Sequence, residues 1–177
     1  MGLKIENDRL YLPMTIRKTT YADVERAAEI YDSARRFMRE AGNPTQWASG
    51  YPNADTVRED IESGASYVLV DGERIIAVFY FSVGEDETYK KIYGGAWLSD
   101  EPYAVIHRIA VSDEARGKGA ARFIFSECFD RYPNIKIDTH RDNVPMQRAL
   151  ASSGFEYCGI IYLASGEERL AYQRTKK

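Results

Sequence analysis

Apolar residues along this chain recur with two periods, and the switches between them mark out the elements. Met14-Thr-Ile-Arg-Lys18 alternates, the two-residue period of a strand. Residues 1–13 before it read as an appendage, in which Leu10-Tyr-Leu12 resembles a short edge strand limited by Pro13. Val24, Ala27, Ala28, Tyr31, Ala34 and Met38 then recur at helical spacing to about Ala41. Thr20-Tyr-Ala-Asp23 is a capping pattern at the start of that helix, and Gly42 stops it. Residues 42–53 are rich in turn formers, with Tyr51-Pro52 as an expected anchor. Thr56 is expected to cap a short helix that ends at Gly64.

The two-residue period returns at Ser66–Val70, and Asp71-Gly72 predicts a hairpin into a strand from Arg74 to Val83. An acidic turn, Gly84–Glu87, leads to a short strand extension at Thr88–Ile92 and a long, mobile-looking connection through Trp97. The β-branched and aromatic run 103–111 is a strand, Ala120–Tyr132 a helix stopped by Pro133, and 134–140 another strand. A strand–helix–strand crossover of that length implies a parallel pair. Asn143 with Pro145 opens a last helix that Gly154 closes. Gly159–Leu163 and Leu170–Arg174 read as a closing hairpin. The order is β–α–α–β–β–β–α–β–α–β–β, a mixed α/β (α+β) fold in one domain spanning 14–177.

Composition excludes several classes. A chain of 177 residues with 44% hydrophobic and 29% charged residues is ordinary globular protein. A net charge of −3 gives no global support for nucleic-acid binding. No apolar run is long enough for a membrane helix, and the start lacks a signal-peptide core, so the expectation is a cytoplasmic protein. Cys128 and Cys158 read as buried, inert thiols of a reducing compartment. The two His and two Cys show no metal-ligand spacing.

The chemistry concentrates at Val111–Phe125, where a strand turns into a helix through Arg116-Gly117-Lys118-Gly119-Ala120-Ala121. The first amides of a helix have no internal partner, and its dipole favours an anion there. Glycines let backbone approach a ligand, and Arg116 and Lys118 add positive charge. A phosphate or pyrophosphate is the natural occupant. No Lys-Ser/Thr pair follows Gly119, which excludes a P-loop, and Arg122 stands where a dinucleotide fingerprint needs its third glycine.

Arg116, Gly119 and Ala121 instead fill the R/Q-x-x-G-x-G/A pattern, and the segment resembles the acyl-CoA pyrophosphate loop of the GNAT superfamily of N-acetyltransferases. His107–Val111 looks like that family's fourth strand. Thr139–Asn143 followed by Ala149–Phe155 looks like its other hallmark, a strand, an Asn opening a helix and a closing Gly-Phe. The resemblance spans about 14–174. It implies a mixed sheet of about seven strands with four helices, in which the parallel strands 103–111 and 134–140 splay apart. It implies acetyl-CoA as cosubstrate, held by Ile109, Ala110 and Val111 along the pantetheine arm, by residues 116–121 at the pyrophosphate, and by Asn143. The reaction implied is direct transfer of acetyl to a primary amine of a small molecule. The alternatives are a protein amine as acceptor, or a non-catalytic CoA-binding protein of the same fold.

One departure bears on mechanism. Many relatives place an acidic Tyr four residues before the Gly-Phe glycine, and here Leu150 occupies that position. Tyr162 is a substitute candidate for the acid. His107 and His140 are candidate bases, since imidazole exchanges protons near neutral pH, although a histidine hydrogen-bonded within the sheet is the plainer reading of each. Strand alternation predicts that His107 and Arg108 face opposite sides. Gln46, Trp47, Tyr80 and Trp97 are candidate acceptor-site residues, with core packing the competing role for each aromatic. C-terminal edge strands allow a homodimer.

Overall fold

The computed structural model describes residues 13–47 and 50–177; the expected edge strand at Leu10–Leu12 lies outside them. In chain order the elements are β1 (Met14–Lys18), α1 (Val24–Glu40), α2 (Ala54–Glu62), β2 (Ser66–Asp71) and β3 (Arg74–Val83). They continue with β4 (Ala104–Val111), α3 (Ala120–Arg131), β5 (Asn134–Thr139), α4 (Val144–Ser152), β6 (Glu156–Tyr162) and β7 (Glu168–Thr175). The strands form one sheet in the order β1-β2-β3-β4-β5-β7-β6, and β4–β5 is its parallel pair.

Two helices cover each face, and the side-chain pattern explains the division. Val24, Ala27, Ile30 and Tyr31 of α1 and Val57 of α2 are buried against Val68, Val70, Val78 and Ala110. On the other face Ile124, Phe125 and Cys128 of α3 and Leu150 of α4 pack with Leu69, Phe79, Ile106 and Ile137. A third cluster, Tyr89, Tyr103, Val105, Ile161 and Ala171, fills the first face beyond α1 and α2. Burial pushes the Cys128 thiol up to about 12, consistent with an inert core side chain.

Three local expectations are corrected. The cap of α2 is Asn53, whose side chain accepts from the Asp55 and Thr56 amides, so the helix starts before Thr56 and that residue sits in its first turn. Thr88–Ile92 is no strand: Glu87–Tyr89 is a single 3-10 turn capped by Asp86. The 93–97 segment is also pinned and not mobile-looking. Tyr93 bridges to Ile160, and a Cβ at Gly95 would stand 1.9 Å from the Cys158 carbonyl oxygen. Only glycine permits that approach of two backbones.

Two irregularities open the sheet where the site lies. Strand β4 pairs with β5 only at Ala104↔Ile135 and Val105↔Lys136. From Ile106 onward the two strands diverge, with β4 still paired to β3. In that stretch the β3–β4 register jumps between Val78↔Ala110 and Tyr80↔His107. Two residues, Arg108 and Ile109, therefore oppose Phe79 alone, which is a β-bulge. Arg108 has φ 48°, the one positive-φ non-glycine among the described residues. The Tyr31 hydroxyl donates to its carbonyl at 2.8 Å and supports this unusual backbone.

Candidate active site

Two cavities meet at the splay. The first, about 490 Å³, lies between the end of α1, the last residues of β4, the start of α3, and α4. The second, about 640 Å³, lies between the 45–51 loop, β3, β4, β5 and the β6–β7 turn. Met38, Ile109, Asn143 and Met146 line both, so one ligand can pass from the first into the second.

The first cavity is made mostly of backbone and small side chains. Ile109, Ala110 and Val111 form one wall, and Arg116, Gly117, Gly119, Ala120 and Ala121 form the end. Gly117 and Gly119 sit at φ 76° and 88°, with Gly119 as N-cap of α3. A Cβ built on either would meet nothing within 4 Å, so the ground above the loop is open. The start of α3 and its dipole face this opening, which fits an anionic pyrophosphate. The cations are arranged differently from the sequence expectation. Lys118 is turned back, its Nζ donating to the Glu114 carbonyl at 2.5 Å, and it does not line the cavity. Arg116 lines it but is engaged by Asp113 at 2.5 Å and by the Val111 carbonyl, and lies 4.1 Å above the Phe37 ring. Arg122, exposed on the first turn of α3, also lines the cavity.

The second cavity is made of side chains from distant segments. His107 and Arg108 both line it, contrary to simple alternation, because the bulge turns two consecutive residues to one face. Arg108 is clamped by Asp60, with Nε–Oδ2 at 3.1 Å and Nη2–Oδ1 at 2.7 Å, and lies 4.7 Å above the Tyr80 ring. Burial pushes the Asp60 carboxyl upward, against the pull of Arg108. That pair was missed in the sequence; an Arg within an apolar strand was its only signal.

His107 Nε2 stands 2.8 Å from Asp86 Oδ2. The hydrogen bond from His107, ahead of those from Thr88, holds the Asp86 carboxyl down to about 2. With Nε2 bearing the proton toward Asp86, Nδ1 is left as an acceptor. Asp138 Oδ2 is 4.0 Å from Nδ1, too far for a hydrogen bond, and already accepts from the Tyr89 hydroxyl at 2.6 Å. Burial first, and the Asp138 charge second, keep Tyr89 well above the usual phenol range and so protonated. Asp86, His107 and Asp138 all line the cavity, a hydrogen-bonded dyad beside a second carboxylate.

The other sequence candidates separate cleanly. Gln46, Trp47 and Tyr80 line the second cavity. The Gln46 side-chain oxygen accepts from Asn43 at 2.8 Å and from Asn143 at 2.9 Å, while Asn143 caps α4 by accepting from the Met146 amide. Gln46 thereby ties the 42–53 loop to the helix at the junction. Trp47 packs edge-on against Tyr31 at 5.7 Å. Trp97 lines neither cavity; its indole donates to the Tyr89 carbonyl at 2.9 Å and its ring faces Lys136 Nζ at 4.3 Å. Tyr162 is exposed, packs on Tyr93 and lines neither cavity. His140 lies outside both linings, its Nδ1 accepting from the Asp142 amide at 3.0 Å and its Nε2 3.3 Å from Thr45 Oγ1. Burial, then the nearby Arg169, lowers its pKa from the usual histidine value. Tyr51 is exposed yet reaches Arg108 at 3.3 Å, while Pro52 is buried.

Among the described residues no helix is long and apolar enough to cross a membrane. Residues 27–155 match the model of the acetyltransferase (GNAT) family. A GNAT-family acetyltransferase from Streptococcus agalactiae is 32% identical, with a TM-score of 0.86 over 95% of this chain and 98% of that one. More distant in sequence are YncA from Salmonella typhimurium, solved with acetyl-CoA as its cofactor (17% identity, TM-score 0.58, 92% of this chain and 93% of that), and the ribosomal-protein-S18-alanine N-acetyltransferase of Escherichia coli (14%, 0.59, 93% and 96%). These last two share the fold. No curated protein matches the chain.

Proposed function

The chain belongs to the GNAT family of acetyltransferases, and on that premise we propose that it moves the acetyl group of acetyl-CoA to the primary amine of a small molecule. The observation that carries this reading is the junction of the two cavities at the β4–β5 splay. One has the surfaces a pyrophosphate and a pantetheine arm require; the other brings a histidine–carboxylate dyad to its wall. Ile109–Val111 would hold the pantetheine amides along the unpaired side of β4, Asn143 would flank the arm, and the loop 116–121 with Arg122 would hold the pyrophosphate.

Bound acetyl-CoA supplies an acyl carbon already activated as a thioester, so holding the amine against it contributes much of the rate. As the amine nitrogen bonds the acyl carbon, His107 Nδ1 would take the proton it loses, with Asp86 orienting the ring and stabilising the charge it gains. The C–S bond would break and CoA would leave as thiolate, which regains that proton from the imidazolium by way of solvent. Asp138 accepts a second hydrogen bond from the amine. The acidic Tyr of many relatives is replaced by Leu150, which is wholly buried in the core. No tyrosine lines the first cavity among the described residues.

Trp47 and Tyr51 come from the 42–53 loop onto the second cavity and favour a small acceptor over a protein chain. The test is calorimetric titration with acetyl-CoA of the wild type beside Gly119→Glu, followed by thiol release with a panel of amines. A carboxylate on Gly119 should repel the pyrophosphate and weaken binding at least a hundredfold while circular dichroism stays unchanged. Wild-type protein that binds neither acetyl-CoA nor CoA would sink the assignment.

A further inference from the structure

Arg169 stands out among the side chains the transfer step does not use. It lies on β7 with 4% of its surface exposed, and it lines the second cavity. A guanidinium offers five N–H donors. Among the described residues its only hydrogen bond runs from Nη1 to the Glu168 carbonyl at 3.0 Å. The nearest carboxylate, Glu167 Oε2, is 3.9 Å from Nη2, beyond hydrogen-bond distance, half exposed, and it accepts from Ser165 Oγ at 3.2 Å. A buried charge so loosely matched is costly unless something completes its shell. The Thr139 hydroxyl, also in the cavity lining, is wholly buried and without a partner among the described residues.

Sheet register fixes where this cation lies relative to the dyad. Asp138 pairs with Ala171, and Arg169 is two residues along β7, so Asp138 and Arg169 project from the same face as diagonal neighbours. Such neighbours stand about 7–8 Å apart, a spacing bridged by an amine and a carboxylate separated by a few bonds. The cavity thus has an acidic end at Asp86 and Asp138 and a basic end at Arg169.

We propose that the acceptor is an amino acid or closely similar amino-carboxylate, its carboxylate held by Arg169 and its amine directed to His107 and Asp138. This rests on the acetyl-transfer reading above and names the acceptor class for it. Arg169 binds substrate and takes no proton. Glu167, also on the cavity wall, competes weakly for the guanidinium and is displaced from it by the ligand.

The experiment compares matched acceptors: amino acids, the amides of their carboxylates, and the corresponding decarboxylated amines. Thiol release is measured with the wild type, Arg169→Gln, Arg169→Lys and Glu167→Gln, with acetyl-CoA affinity and thermal melts as controls. The wild type should favour the carboxylate member of a pair by roughly tenfold to a hundredfold in kcat/KM. Arg169→Gln should erase that preference through KM, and Arg169→Lys should restore part of it. Glu167→Gln, at an exposed turn, should lower KM for carboxylates a few-fold more than for the amides, which keeps the test alive if Arg169→Gln does not fold. Amides accepted as well as carboxylates by the wild type, or equal losses for both members of a pair in Arg169→Gln, would overturn the proposal while leaving acetyl transfer intact. If acetyl-CoA binds but no amine releases thiol, small-amine acetylation fails separately. Titration of the same amino acids into the CoA-loaded protein then decides this inference: carboxylate-dependent binding upholds it, and absent or carboxylate-independent binding overturns it.

Discussion

The two cavities share four residues and little else. The first cavity, the proposed cofactor side, centres on two nearby stretches, 109–111 and the glycine loop leading into α3, set between the end of α1 and the start of α4. The second cavity, the proposed acceptor side, is assembled from Trp47, Tyr80, Asp86, His107, Asp138 and Arg169, which come from separate segments of the chain. The anion-binding end of the first is set by local geometry, whereas the second depends on five or more segments arriving together. Chemistry common to many acceptors belongs on the first kind of surface, and discrimination among acceptors on the second.

The sharpest way to separate them is His107→Ala. It should lower kcat about a hundredfold to ten-thousandfold and leave acetyl-CoA affinity unchanged in calorimetry. Equal loss of affinity would mean that the cavities are not independent. Next in size is Asp60→Asn, which leaves the Arg108 guanidinium half-buried without its carboxylate. A loss of about 3 kcal/mol in urea unfolding is expected, with the acceptor KM raised because Arg108 and Tyr80 lose their anchor.

A third prediction uses pH. Asp86 is held at about 2 in the folded protein, below the ordinary carboxylate value of about 3.9. A depressed carboxyl stabilises the fold above its unfolded pKa, and that contribution disappears as pH falls through the folded one. Stability should therefore drop by about 1–2 kcal/mol between roughly pH 4 and pH 2, after allowance for partial exposure. Asp86→Asn should flatten that part of the acid-melting curve. The smallest effect belongs to the cofactor side: Gly119→Ala meets open space but must hold φ 88°, so it should cost about 1–2 kcal/mol in thermal stability with little change in acetyl-CoA affinity.

The contrast also explains what could be read from the chain alone. The loop 116–121 was legible because its signal is local: a strand, two glycines and a helix start lie within a few residues of one another. Most strands and all four helices were legible for the same reason, as period and punctuation coincide. The α2 cap was missed because Asn53 and Thr56 both carry capping chemistry, and position alone did not choose between them. The bulge carries no glycine or proline to announce it, so His107 and Arg108 were expected on opposite faces. Asp86 hid within an acidic turn, and Arg169 fell just ahead of the closing strand expected at Leu170–Arg174, since β7 starts at Glu168. Their meaning depends on partners 21 residues away at His107 for Asp86, and on the β5–β7 register for Arg169.

A sheet left unzipped at its centre has a consequence for the protein's persistence. Beyond Val105 the β5-facing edge of β4 is without a neighbouring strand, so a ligand lying there acts as the missing one. A ligand that binds only the folded chain adds about 2.7 kcal/mol when present at a hundredfold excess over Kd. Resistance to proteolysis and to heat would then follow the supply of acetyl donor.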